Sequence, residues 1–425
     1  MSILHLSYSS SGGGAANAAF LLHQQLSDAG IQSYFRQLGG YIDQSGFCST
    51  NRASRLARKC GNLSKHYTSR ALLALQRDSN FHWHSLSCFP STLDIELNKS
   101  PCEVLHLHWV QSEFISIEAI GRLRKKIVWT LHDSWPYCGS EHHLRNTTDD
   151  RFRVGYNGGN RDKNASGPDL DRWCWERKMA SWDTAGFTFI APSSWSLNQA
   201  RESRLLRDAD IRKIPNIVDD TFFSVSRDSS DMRQRLGISE KASIITLGSA
   251  YVATDKNKGL ELAETILREC MSETKDSVLI LFGVAKGLIG SIQDKYSTSS
   301  QRVIVLPYLE KRYLAEIFAI SDLVVVPSRL ESFGLVAAEA QACGTPIVAY
   351  RTSGLVDVVQ AGVTGVLAEA FNEISFVQAI KDLAHKPEAL RRMGRLARER
   401  AHRLFSSRIV VSQHALVYSD LISNR

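Results

Sequence analysis

Short apolar runs recur along the chain, separated by longer stretches of mixed polarity. In the first half they occupy residues 3–6, 104–107, 127–131 and 188–191. In the second half they occupy 243–247, 277–282, 303–306, 323–326 and 346–349. Each is short, rich in Val, Ile and Leu, and bounded by turn-forming residues, which predicts a strand. The stretches between them read as helices, among them residues 15–29 and 405–422. Strands that are apolar throughout, rather than at every second position, are covered on both faces. That implies parallel sheets with crossover helices. The expected fold class is α/β, with two doubly wound domains. In such sheets ligands bind at the carboxyl ends of the strands.

Length and composition refine this picture. A chain of 425 residues is too long for one compact core. All eight tryptophans lie between Trp83 and Trp195, and ten of the thirteen histidines precede residue 144, so the halves differ in character. Ile214-Pro215-Asn216 breaks regular structure and marks the boundary. The expected domains are residues 1–215 and 216–404, followed by a final helix within 405–425. Residues 140–171 are polar, glycine-rich and patternless, and read as a long loop or lid in the first domain.

An apolar share of 43% and a charged share of 22% are those of a globular protein. No apolar run reaches the ~18 residues of a membrane span. The N-terminal residues lack the basic and apolar regions of a secretory signal, so a cytosolic location is expected. The eight cysteines contain no Cys-x-x-Cys pair and read as free thiols. The net charge of +7 is unevenly spread. Residues 51–70 hold Arg52, Arg55, Arg58, Lys59, Lys65 and Arg70 and no acidic residue; Arg122, Arg124, Lys125 and Lys126 form a second cluster. Such clusters fit an anionic membrane surface, at ~1 kcal/mol per basic residue, or equally a solvated helix face. Without a recognised binding motif, the charge does not point to nucleic acid.

The most informative chemistry follows the run 323–326. Glu331 and Glu339 stand with seven residues between them. The segment 334–342 lacks proline and is rich in Ala, Leu and Glu, so it should be helical. Glu331 then precedes the helix, Glu339 lies about two turns inside it, and the unpaired amides of the helix start lie between them. Two carboxylates for hydroxyls and an amide cradle for phosphate are what a nucleotide-sugar needs. Together with Pro327-Ser328, Glu331-Ser332-Phe333-Gly334-Leu335 and Gly344-Thr345-Pro346, this element resembles the retaining GT-B glycosyltransferases of family 4.

The resemblance implies two Rossmann-like domains facing a central cleft, the last helix packed back on the first domain. It implies retaining transfer from a UDP- or GDP-sugar to a hydroxyl of a glycan or lipid-linked saccharide, as in bacterial surface polysaccharide synthesis. The nucleotide-sugar is a co-substrate, and neither a cofactor nor a divalent metal is required. Glu331, Ser332, Phe333, Gly334 and Leu335 are assigned to the donor sugar and phosphate, and Glu339 to the ribose. Gly13 and Gly14, in the glycine-rich turn after the first strand, approach the diphosphate. Lys258, in Asp255-Lys256-Asn257-Lys258-Gly259, meets the donor phosphates, with Lys256 as a possible second cation. His132, in His132-Asp133-Ser134-Trp135-Pro136, contacts the transferred sugar, while Asp133 and Trp135 orient its loop. Many members carry an arginine six residues before the lysine; here that position is Val252. This departure keeps open a catalytically inactive nucleotide-sugar-binding protein, and the architecture alone also allows another GT-B enzyme such as an epimerase. The Asp-x-Asp pairs at 169–171, in the irregular loop, and 208–210, in a charged helix, read as chance. Cys138, His142, His143 and Cys174 fit no standard zinc spacing.

Overall fold

The structure is a computed structural model of the chain. It describes all residues except 39, 43–51, 78–82, 145–149, 228–229, 251, 272–275, 298–301, 385 and 424–425. Two compact units result: Met1–Ile214 with Val411–Arg425, and Pro215–Val410. The final helix therefore begins in one unit and ends in the other. It spans Ser407–Ser423, not 405–422, because the preceding helix, Pro387–Phe405, runs on to Phe405.

Among the described residues, the first unit holds a seven-stranded sheet in the order β3-β2-β1-β4-β5-β6-β7. Its strands are β1 (Ser2–Leu6), β2 (Gln32–Gln37), β3 (Gly40–Ile42), β4 (Val104–Leu107), β5 (Lys126–Thr130), β6 (Phe187–Ala191) and β7 (Asp210–Lys213). All pairings are parallel except β2 with the edge strand β3. Strands β1, β4, β5 and β6 match the apolar runs. The sequence pattern missed β2 and β7, whose polar positions interrupt any such run, and β3, which is only three residues long.

The second unit holds a six-stranded parallel sheet in the order β10-β9-β8-β11-β12-β13. Its strands are β8 (Ser243–Gly248), β9 (Ser277–Phe282), β10 (Arg302–Val305), β11 (Leu323–Val326), β12 (Ile347–Tyr350) and β13 (Gly365–Ala368). Only β13 had no counterpart among the apolar runs. Strand β11 is buried along its whole length, as a strand covered on both faces must be.

Of the segment 140–171, residues 145–149 lie outside the described residues, and the rest is more regular than its composition suggested. It contains the helix Arg151–Val154 and the 3-10 turn Gly158–Asn160, with Phe152 and Tyr156 buried. Asp169 caps the helix Leu170–Ser181 and pairs with Arg151 at 2.6 Å; Asp171 accepts hydrogen bonds from Ser140 and Gln76. This Asp-x-Asp pair is structural. In the other, Asp210 opens β7, not a helix, and pairs with Arg212.

Lys178 organises the turn after β5. It is fully buried, and its ammonium donates to the carbonyls of Trp135, Cys138 and Gly139 while lying 3.6 Å from the centre of the Trp135 ring. Burial pulls its pKa down to about 8. The carbonyls and the indole face compensate the desolvated charge and fix the backbone of 135–139.

Candidate functional site

The chemical residues of the second unit lie on the loops after β8 and β11. After β8, Asp255 caps the 3-10 turn Lys256–Lys258 through the Asn257 amide, and Gly259 follows in the left-handed region at φ 69°. A Cβ at Gly259 would stand 2.7 Å from the Pro327 carbonyl oxygen. Only glycine lets this turn lie against the end of β11, and that approach brings Lys258 Nζ to 2.8 Å from Glu331 Oε1. Burial opposes the ammonium, but Glu331 and Asp255 outweigh it, so the Lys258 pKa rises above the ordinary lysine value.

Glu331 is clamped through its backbone. Its amide donates to Ser353 Oγ at 2.9 Å, and its carbonyl accepts from the Gly354 amide at 2.8 Å. Ser353 adopts φ 44°, an uncommon conformation for a non-glycine residue. A Cβ at Gly354 would meet the Ser332 carbonyl oxygen at 2.6 Å, so this neighbour too must be glycine. The clamp precedes the helix Leu335–Ala342, whose N-cap is Gly334 at φ 102°. Ser332 and Leu335 are half-buried; Phe333 is buried edge-on against Phe405 and anchors the turn. The first-turn amides have no acceptor within the helix.

Glu339 is the fifth residue of this helix, about one turn from its start and not two. It is half-buried, and burial pushes its pKa up to about 8; Asp219 adds to the rise and Lys311 opposes it. Asp219 and Lys311 pair with each other at 2.6 Å. These two neighbours had no sequence signal, because they reach Glu339 from different elements. Val252 is buried in the core packed with Leu262 and Ile266, so no cation occupies that position.

In the first unit, Gly13 and Gly14 follow β1. The helix Gly14–Asp28 starts at Gly14, one residue earlier than expected, with Gly13 as an extended N-cap. A Cβ at Gly13 would meet nothing within 4 Å, so packing within the protein does not demand glycine there.

His132 stands two residues after the end of β5 and is half-buried. Burial lowers its pKa to about 4 against the opposing pull of Asp133. The imidazole is therefore neutral at physiological pH. Its Nε2 lies 3.0 Å from His108 Nδ1. Asp133 accepts from the Trp109 indole, the Trp135 amide and His142, and Trp135 donates to the Ser85 carbonyl. Both residues hold the loop, as their place beside the histidine suggested.

The ring nitrogens of His5, His106 and His108 lie within 4.8 Å of one another, the one such convergence among the described residues. Both His106 nitrogens hydrogen-bond to Tyr418 and Thr130, and His5 bonds to His108. Cys138, His142, His143 and Cys174 form no comparable group; the Cys174 thiol donates to the Leu86 carbonyl and His142 lies between Asp133 and Ser85.

The basic clusters differ. The side chains of 52–60 lie outside the described residues. Beyond them, the helix Arg52–Leu73 exposes Leu63, Tyr67 and Arg70. In the second cluster, Arg122 pairs with Asp94 at 2.7 Å and Lys125 donates to the Ser100 carbonyl. No helix among the described residues is long and apolar enough to cross a membrane.

Comparison with known proteins bears on the family and the fold. Residues 230–400 match the family described as "Glycosyl transferases group 1". A 234-residue stretch is 31% identical to the N-acetyl-alpha-D-glucosaminyl L-malate synthase of Bacillus anthracis, covering 55% of this chain and 60% of that relative. The chain thus spans less than two thirds of that relative's length. The fold is similar to sucrose-phosphate synthase from Thermosynechococcus elongatus, with a TM-score of 0.67, 20% identity and full coverage of both chains. It is also similar to Anabaena HepE in complex with UDP and glucose, with a TM-score of 0.64, 16% identity, and 99% and 100% coverage. The two parallel-sheet units are those of the GT-B architecture.

The raised pKa of Glu339 carries a sign. A folded value of about 8 lies above the ordinary carboxyl value, so the folded chain holds a proton that the unfolded chain releases. The stabilisation is complete below the unfolded pKa and is lost as pH rises through about 8. In Glu339→Gln this loss disappears. The melting temperature of the variant should therefore gain on that of the parent between pH 5 and 8 in thermal melts. A constant difference across that range would place the carboxyl in a solvated setting.

Proposed function

We propose that this chain, whose residues 230–400 carry a group 1 glycosyl transferase domain, moves a sugar from a nucleoside diphosphate donor to an acceptor hydroxyl with retention at the anomeric carbon. The observation that carries this reading is the Lys258–Glu331 contact, set beside the start of the helix that bears Glu339. Glu331 and the amides of Ser332 to Leu335, which lead into the helix Leu335–Ala342, take the transferred sugar and the diphosphate. Glu339 takes the ribose hydroxyls. Gly13 and Gly14 let the diphosphate approach the backbone. Lys258 offsets the charge that develops on the leaving diphosphate. His132 contacts the transferred sugar.

In the proposed step the bond from the anomeric carbon to the diphosphate oxygen breaks, and a bond to the acceptor oxygen forms on the same face. The acceptor proton passes to the departing diphosphate, so no protein base is needed, and the charge on the diphosphate is met by Lys258 and the backbone amides in place of a divalent metal. The donor nucleoside is uridine or guanosine. The acceptor is a glycan or lipid-linked saccharide of bacterial surface polysaccharide synthesis, a choice supported by the basic helix Arg52–Leu73 with Leu63 and Tyr67 exposed along it. The protein then works at the inner face of the cytoplasmic membrane. A second reading, a nucleotide-sugar-binding protein without transfer activity, is favoured by the burial of Val252 where many members place a cation.

Calorimetric binding to UDP, GDP, ADP and their sugars, with and without EDTA, tests the donor site. Selective binding of one nucleotide, insensitive to EDTA and lost in Glu339→Ala, is expected; no binding across the panel would overturn the assignment. Turnover by Lys258→Ala at saturating donor should fall tens-fold or more, as expected for an electrostatic stabiliser worth ~3 kcal/mol. Near-normal turnover would remove Lys258 from the site, and donor binding without transfer by the parent chain would favour the second reading. Co-sedimentation with anionic vesicles, absent with neutral ones and reduced by Arg70→Glu, is expected for the membrane contact; equal recovery with both would refute it.

A further inference from the structure

Three histidines of the first unit form a line of hydrogen bonds. His5 Nδ1 on β1 lies 2.9 Å from His108 Nε2, and His108 Nδ1 lies 3.0 Å from His132 Nε2. His5 and His108 are buried. The strand register places His5 opposite His106, whose ring stacks on His108 at 4.1 Å and is itself tied to Tyr418 and Thr130. The His108 backbone is held as well: its amide donates to Leu6, and its carbonyl accepts from the Trp129 indole. The rings have little freedom to turn.

Burial keeps all three imidazoles neutral. The pKa values of His5 and His108 fall well below the usual histidine value, first through desolvation and then through the neighbouring His23, His106, His132 and His414. A neutral imidazole carries one N–H. Only two proton arrangements therefore preserve both hydrogen bonds. With every proton on Nδ1, His5 donates to His108 and His108 donates to His132. With every proton on Nε2, the direction reverses. The far end of the line separates the two. His5 Nε2 is buried and has no hydrogen-bond partner among the described residues. The first arrangement leaves a bare lone pair there, and the second leaves a buried N–H. Orphaned buried N–H groups are the rarer, so the first arrangement is favoured. At the near end His132 Nδ1 then carries the proton.

We propose that His5 and His108 are positioning residues that hold His132 as its Nδ1–H tautomer, so that it meets the transferred sugar as a hydrogen-bond donor and not as a base. This rests on the assignment of His132 to the sugar, but the tautomer can be read without substrate. A donor suits a sugar hydroxyl oxygen, and it agrees with a reaction in which the leaving diphosphate takes the acceptor proton.

Long-range 1H–15N NMR of the full chain, with the His132 signal assigned from His132→Gln, reads the tautomer directly. The expected result at neutral pH is a protonated Nδ1 and a bare Nε2 on His132, the reverse of the preference of a free histidine side chain. His5→Asn, which keeps an amide donor near the Nδ1 position, should preserve that signature. His5→Phe should mix the tautomers of His132 although His5 does not touch it. An Nε2–H or doubly protonated His132 in the parent chain would overturn the proposal, as would an unchanged signature in a folded His5→Phe. One equivalent of zinc held by the purified chain would also overturn it, since a metal on these nitrogens displaces the protons. If His5→Phe does not fold, the parent signature decides alone. If the tautomer is found and no sugar transfer occurs, the proton arrangement stands and only the role at the sugar falls.

Discussion

The contact between Lys258 and Glu331 is the constraint on which the second unit turns. An ammonium and a carboxylate at 2.8 Å, both largely out of solvent, can be held only if both backbones are fixed. Gly259 supplies one fixed point by lying against Pro327, and the Ser353–Gly354 clamp supplies the other. Neither depends on the charged atoms themselves. The pair is thus a consequence of how the loops after β8 and β11 and the turn after β12 pack. Each partner compensates the desolvation of the other, and an incoming anion must compete with Glu331 for the lysine.

The first unit handles polar groups in its sheet differently. It keeps His5, His106 and His108 neutral by burial rather than pairing them with carboxylates, and it spends a lysine on three carbonyls to shape the turn after β5. The two devices meet in the His132 loop. Lys178 fixes the backbone after it, and His108 fixes its ring. A neutral, oriented imidazole is suited to hydrogen bonding and unsuited to carrying charge.

Much of the fold was legible because strands covered on both faces must be apolar throughout. The strands that escaped notice, β2, β7 and β13, carry polar or small residues, and β3 is three residues long. The glutamate pair was legible because spacing survives without coordinates. What surrounds it was not: Asp219 and Lys311 approach Glu339 from far along the chain, and only packing shows that this carboxyl is pushed up to about 8. The line through His5 and His108 was equally hidden, since it depends on the register of β1 against β4. Residues 140–171 misled for a related reason. Glycine and polar residues there suggest a loose loop, yet Arg151, Asn157, Asn160 and Asp169 serve as caps and ion pairs in the stretch that buries Phe152 and Tyr156.

Position 252 shows how packing limits chemistry. A valine buried among Leu262 and Ile266 cannot be exchanged for arginine without placing a guanidinium in an apolar core. The absence of a cation there is therefore built into the fold of the turn after β8, not left to one substitution. Under the proposed function, a diphosphate in this unit would meet the lysine that Glu331 already holds and the backbone amides at the start of the helix Leu335–Ala342. Amide dipoles are fixed before any ligand arrives and need no proton, so their contribution is steady across pH. Lys258, whose pKa rises above the ordinary lysine value, is steady for the same reason. Within this unit, Glu339 is the group of the site whose charge changes near neutrality, which makes it the place where pH acts on the site.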